Sequence, residues 1–292
     1  MNNTQLLYIS QKASKALYYE VSLSPKPGLV DRFDNGAHND MDFYTFINSI
    51  ESLRPFFYQY IKTGFYHQKD LNHLFDQLRQ IGQAAEQAML QSTQGVNTHK
   101  GANFSFAVIL GATGYYVQNH SFPFTAADSQ AILTIVAEMT KQAMAKDFTC
   151  LNKKKSLSYG EKLYSQKGLT GVRGEAAQGY PVLNSLLLPF LRSYQTHTDS
   201  VETYLLRALV LLMSEVEDGN IIHRGGISAW YEHKEKSRVL HQKELSSAAF
   251  KKELAKYNQE LIRKNLSPGG AADLLGLGIY FSLLEKNLDS IR

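Results

Sequence analysis

The stretch that decides the fold runs Gly95-Val96-Asn97-Thr98-His99-Lys100-Gly101-Ala102-Asn103-Phe104 and continues into Phe106-Ala107-Val108-Ile109-Leu110-Gly111-Ala112. The second segment is small, apolar and uncharged, and reads as a buried helix. The polar segment before it then lies at that helix's N-terminus, where unpaired N–H groups and the dipole favour an anion. Lys100 and His99 add cationic character there. A plainer alternative is a loop whose Asn97 or Thr98 caps the helix. The stretch alone leaves both readings open.

Working outward, helical periodicity dominates. Leu6, Ile9, Ala13, Ala16 and Leu17 follow steps of three and four, so a first helix is expected to stop before Pro25. Ser24-Pro25-Lys26-Pro27-Gly28 cannot be helix interior. Phe43, Phe46, Ile47, Ile50 and Leu53 restart the period, with Asp40 or Asp42 placed to cap. Further helices are expected at about 70–91, 126–145, 174–193, 200–217, 240–264 and 270–287. Residues 147–172 are richer in Lys, Ser and Gly and read as a long loop, a candidate lid over the substrates. With almost no strand-like alternation, the expectation is an all-α, single-domain bundle over 1–292, with glycine-rich polar loops forming the site.

The bulk numbers narrow the class. A chain of 292 residues with 43% hydrophobic and 20% charged residues has ample material for a core. The net charge of +4 is dispersed, and only Lys153-Lys154-Lys155 forms a run, so no nucleic-acid surface is expected. The 17 Tyr and 15 Phe are scattered at helical spacings, as core packing requires. Cys150 is the lone cysteine, which excludes an internal disulfide and a cysteine zinc site. Neither a signal peptide nor an apolar span of about 18 residues is evident, and a soluble cytoplasmic protein is expected.

Six polar segments interrupt the helices. Pro25-Lys26-Pro27-Gly28-Leu29-Val30-Asp31 displays Lys26 and Asp31 on a fixed backbone. In His38-Asn39-Asp40-Met41-Asp42, two carboxylates two apart can share a hard cation such as Mg²⁺, or serve as N-cap and dipole-favoured acid. The opening stretch is the third. In Gly171-Val172-Arg173-Gly174-Glu175, glycines flank an arginine whose fork suits phosphate. Glu217-Asp218-Gly219-Asn220-Ile221-Ile222-His223-Arg224-Gly225-Gly226 reads as a polar, glycine-bounded turn after an apolar helix. In Ser267-Pro268-Gly269-Gly270-Ala271-Ala272-Asp273-Leu274-Leu275, Ser and Pro mark a helix start and two glycines leave amides open to an anion. The P-loop, the dinucleotide fingerprint, the zinc helix and the nucleophile elbow are all absent from the sequence.

Together, in this order, the segments PKPGLVD (25–31), GAHNDMD (36–42), GVNTHKGANF (95–104), GVRGE (171–175), DGNIIHRGG (218–226) and SPGGAADLL (267–275) resemble the triphosphoribosyl-dephospho-CoA synthase family, which serves citrate lyase, with a sister branch serving malonate decarboxylase. Three positions depart from the expected pattern. Gly219 stands where Thr is expected, Asn103 where a small or apolar residue is expected, and Ala271 where Ser is expected. The resemblance implies transfer of the triphosphoribosyl group of ATP to the 2'-hydroxyl of 3'-dephospho-CoA, with release of adenine. The product is the precursor of a prosthetic group that a downstream transferase attaches to the lyase's acyl carrier subunit.

Displacing adenine from C1' builds oxocarbenium-like charge, and the retained triphosphate calls for Mg²⁺ and fixed cations. On this reading Asp40, Asp42 and Asp218 form the metal or base set, with Asp31 and Glu175 as further candidates. Lys26, Lys100, Arg173 and Arg224 hold phosphates. Asn97, Thr98, Asn220, Ser267, Gly269 and Gly270 complete the substrate loops. His99 and His223 are the candidates for proton transfer to adenine. Two other classes compete: an all-α metal-dependent phosphohydrolase, which would release phosphate and not adenine, and a non-enzymatic carrier for the acyl carrier subunit, which would need an exposed apolar groove.

Overall fold

A computed structural model describes residues 2–149, 164–165, 168–196 and 198–288. Among them every regular element is helical. Helix α1 (Asn3–Ser22) ends before Pro25, and α2 (Phe43–Phe65) begins at Asp42, whose carboxylate accepts from Thr45 N–H. Helices α3 (Leu71–Ser92), α4 (Lys100–Tyr116) and α5 (Ala126–Thr149) follow. Most of the expected 147–172 loop lies outside the described residues.

Beyond it, the helix expected at 174–193 is broken. Helix α6 spans only Gly171–Ala177, because Gly179 and Tyr180 both take positive φ and Pro181 follows. The chain restarts as a π turn at Leu183–Leu187, continued by α7 (Leu188–Arg192). Helix α8 (Val201–Glu215) precedes α9 (Gly219–Gln242), α10 (Ser247–Arg263) and α11 (Gly269–Leu284). The stretch 218–226, read as a turn, instead forms the opening of α9, and the expected 240–264 helix splits at the Ser246 cap. Short polar-glycine sequences serve both as loops and as helix starts, and spacing alone does not separate the two.

Two helices form the centre. Helix α4 packs against α2, α3 and α5, and α11 against α1, α4 and α8. Both are buried along nearly their whole length, as helices apolar on all sides must be. The α2–α4 seam is close: a Cβ at Gly64 would overlap the Gly111 carbonyl, and one at Gly114 the Ile61 carbonyl. A side chain at either glycine would push the two backbones apart. This seam and the burial of α11 set the N-termini of the two central helices side by side. No helix among the described residues is long and apolar enough to cross a membrane.

Candidate active site

The first turns of α4, α9 and α11 converge with the 24–42 loop on one cavity of about 810 Å³. Its polar wall includes Lys26, Asp40, Asn97, Thr98, His99 and Lys100 from the first half of the chain. From the second half it takes Arg173, Asn220, Arg224, Ser267, Gly269 and Gly270. Segments far apart in sequence therefore meet in one place. The lining also has an apolar part, with Phe104, Ala107 and Val108 contributed by α4.

At the start of α4, Asn97 supplies the cap, its side-chain oxygen accepting from Lys100 N–H. Lys100 reaches Glu86 on α3 at 2.5 Å and is exposed. His99 is buried. Thr98 donates to Ser49 Oγ at 2.7 Å, which frees the Ser49 hydroxyl to donate to His99 Nδ1, also at 2.7 Å. The ring's proton then sits on Nε2, which has no partner among the described residues. Burial first, and the Lys26 charge second, push the His99 pKa down to about 3. His99 is thus a neutral N–H donor at physiological pH and holds no second proton to give to a departing base, the role the sequence assigned it.

The 24–42 loop is built around two buried groups. Lys26 pairs with Glu20 at the end of α1, 2.6 Å apart. Asp31 accepts from Ser24 Oγ, Lys26 N–H, Phe33 N–H and Asp34 N–H. Its oxygens are fully engaged in shaping the loop, and it does not line the cavity, so the loop geometry speaks against a metal role. Asp42 is likewise outside the cavity, engaged as the α2 cap. Asp40 stands at the rim, largely exposed, 3.7 Å from His38 Nδ1.

His38 joins two distant segments. Arg224 donates to its Nδ1 at 3.2 Å, so its Nε2–H faces Ser267 Oγ at 2.9 Å. Burial, and next the Arg224 guanidinium, lower the His38 pKa. Arg224 also donates to the Ala37 carbonyl at 2.7 Å and thereby fastens the loop to α9. His223, its neighbour, is exposed and does not line the cavity. Successive helical residues point about 100° apart, so only one of the pair can face the site.

Asp218 caps α9, its Oδ1 accepting from Asn220 N–H at 2.9 Å and Ile221 N–H at 3.2 Å. Its Oδ2 accepts from Ala271 N–H in α11 at 3.2 Å. One carboxylate thus clamps two helix N-termini together from just behind the cavity wall. Burial raises its pKa, and these backbone N–H groups pull it back down. Ala271, one of the departures, is fully buried and contributes through its backbone. Asn103, another, accepts from Tyr60 Oη at 2.9 Å and donates to the Gly82 carbonyl, so its amide is satisfied in the core.

Glu175 lies outside the cavity-lining set. Burial, then the nearby Glu217 charge, push its pKa up to about 7, and its Oε2 has no hydrogen-bond partner among the described residues. No group of three His, Cys, Asp or Glu is gathered for a metal among the described residues. Among the cavity residues missed as candidates are Glu20, His38 and Asp273. Glu20 left a faint signal, a lone carboxylate at the apolar end of the first helix. His38 and Asp273 stood inside the quoted segments but read as ordinary loop and helix residues.

Comparison with known proteins identifies one family. The family model described as ATP:dephospho-CoA triphosphoribosyl transferase matches residues 7–292. A protein of Streptococcus equi subsp. equi, named as a probable 2-(5''-triphosphoribosyl)-3'-dephosphocoenzyme-A synthase, is 54% identical over 287 residues, 96% of this chain and 97% of the relative. One from Streptococcus pyogenes serotype M5 with the same name is 52% identical over 295 residues, 99% of this chain and all of the relative. A crystal structure from Archaeoglobus fulgidus, whose description proposes a triphosphoribosyl-dephospho-CoA synthase, aligns with a TM-score of 0.47 at 17% identity, covering 82% of this chain and 98% of that one. The chain belongs to the ATP:dephospho-CoA triphosphoribosyl transferase family.

Proposed function

We propose that this protein transfers the 5-triphosphoribosyl group of ATP to the 2'-hydroxyl of 3'-dephospho-CoA and releases adenine, making the prosthetic-group precursor of citrate lyase. The observation that carries the reading is the convergence of three helix N-termini and the cations Lys26, Lys100, Arg173 and Arg224 on one cavity that also has an apolar lining. Phosphates suit the polar lining and a planar base the apolar one. Lys100 and Arg224 sit where they can exchange a protein partner for phosphate oxygens, whereas Lys26 is buried against Glu20 and acts through its field.

His99 offers a fixed Nε2–H to an acceptor atom on the nucleotide. Arg224, His38 and Ser267 hold the rim loop against α9 and α11, so that the two halves of the cavity keep their spacing. Asp218 acts by positioning: without it the first turns of α9 and α11 lose their shared cap.

For Mg²⁺, the donor chemistry fits at one residue. Asp42 and Asp218 accept backbone N–H bonds, while Asp40 keeps an exposed carboxylate at the cavity rim. Mg²⁺ on nucleotides is commonly held by one or two carboxylates and the phosphates, so Asp40 would hold it. The ion would neutralise the triphosphate charge that is retained throughout.

The test is to incubate the purified protein with ATP, Mg²⁺ and dephospho-CoA and to measure free adenine by chromatography. Adenine released only when dephospho-CoA is present is the expected result. Release of phosphate or ADP without adenine would overturn the reading in favour of a phosphohydrolase.

A further inference from the structure

Among the carboxylates around this cavity, one is in an unlike position. Asp273, in the second turn of α11, lines the cavity, and among the described residues it accepts no hydrogen bond and joins no ion pair. Of the others, Asp40 stands exposed at the rim, and the rest are engaged. Glu20 holds Lys26, Glu217 accepts from Gly171 N–H, and Asp218 accepts backbone bonds at two helix starts. Asp273 packs so tightly against Gly101 of α4 that a Cβ there would overlap its Oδ2.

That contact locates its carboxyl relative to the apolar wall. Phe104 and Val108 lie three and seven residues beyond Gly101, on the same face of α4, and both line the cavity. A purine lying on that face would have its ring edge within reach of Asp273. A second, independent observation marks the same floor as a ligand site. His99 is 3% exposed, lines the cavity, and its Nε2 lacks a partner.

We propose that Asp273 is the catalytic acid that protonates adenine as it leaves. This deepens the proposed function and rests on it. In the step, the C1'–N bond of ATP breaks and its electron pair goes to the adenine ring, which takes the Asp273 proton. The bond from the 2'-oxygen of dephospho-CoA to C1' forms, and the 2'-hydroxyl proton passes to solvent, from which Asp273 is reprotonated. The charges facing Asp273 favour its neutral form. They are Glu20 on α1 and Asp218 at the start of α9, while the nearby Tyr180 hydroxyl is kept protonated, in part by Asp273. Lys26 is held in an ion pair by Glu20, and His99 is uncharged. Burial first, then Glu20 and Asp218, raise the Asp273 pKa well above the carboxylate range, as suits a general acid near neutral pH. Asp218, bathed in backbone N–H groups, is the partner that ionises first.

The experiment compares ATP with N7-methylated ATP, whose base departs neutral without taking a proton. With wild-type protein, kcat for ATP should fall as pH rises through the acid's pKa, and this limb should be absent for the methylated donor. Asp273→Asn should lower kcat for ATP by about a hundredfold or more, leave KM within a few-fold, and keep wild-type turnover of the methylated donor. Equal losses with both donors, or an unchanged alkaline limb in D273N, would overturn the proposal. Loss of that limb in Glu175→Gln instead would move the acid to Glu175. If D273N does not fold, the wild-type comparison of the two donors decides alone. If wild-type protein releases no adenine at all, it is the underlying function that falls.

Discussion

Two buried polar clusters lie within the same cavity region and behave as opposites. The hub of the 24–42 loop holds Glu20, Lys26 and Asp31, and every charge there has its partner: Glu20 with Lys26, and Asp31 with four donors. The cavity floor holds His99, whose buried Nε2 is unused, and the half-buried Asp273, which accepts no hydrogen bond among the described residues. A closed cluster builds shape, since breaking it leaves a charge stranded in low dielectric. An open cluster costs folding energy and keeps its hydrogen-bonding capacity for a ligand. Burial alone therefore does not identify the chemistry. The unsatisfied valence does.

The largest effect should come from breaking the closed cluster. Lys26→Met strands Glu20 and should cost about 3–5 kcal/mol, read from the urea midpoint, and adding Glu20→Gln should recover part of it. A K26M protein as stable as wild type would show that the hub is not closed. Asp31→Ala should come next. It leaves the Ser24, Lys26, Phe33 and Asp34 donors without their acceptor, a loss of about 3 kcal/mol, measurable by the same denaturation. Stability unchanged within error would reduce Asp31 to a surface role.

The open cluster should respond in function as well as in stability. His99→Phe leaves the buried Ser49 hydroxyl without its acceptor and should cost about 1–3 kcal/mol, while KM for ATP rises about tenfold for one lost hydrogen bond. With its pKa near 3, the imidazole is neutral from pH 5 to 8, so the kcat profile in that range should keep its shape in this variant. A lost acidic limb would mean that His99 titrates after all.

The smallest effect concerns stability and pH. Asp273 has a folded pKa raised above its unfolded value. The stability it allows is therefore fully present at low pH and is lost as pH rises through the folded pKa. Asp273→Asn escapes that loss, so its melting temperature should match wild type in acid and exceed it by about 2 °C at alkaline pH. A gain that does not grow with pH would place Asp273 in a solvated setting.

Much of the fold could be read from residues alone. Leu6, Ile9, Ala13, Ala16 and Leu17 all turn inward, and the segment 106–112 is buried throughout, because period and apolarity are local properties. The helix breaks at Gly179–Tyr180 and Gln242 were less legible, since each depends on a few φ angles or a cap set by neighbours. The departure at Asn103 looked awkward in sequence and proved to be a core amide with both ends bonded.

For the site, the sequence alone determined which segments matter: all six quoted motifs contribute three or more residues to one cavity. It also determined the family, through motif order. Only the tertiary structure decided which carboxylates are engaged. Asp31, Asp42 and Asp218 look as reactive in the sequence as Asp273, yet their oxygens are taken by backbone N–H groups. His99 and His223 likewise differ only in the side of a helix start on which each falls. The reason is physical. Residue type sets what a group can donate or accept, but a pKa and a free valence are set by what lies within about 4 Å, and those neighbours come from distant parts of the chain.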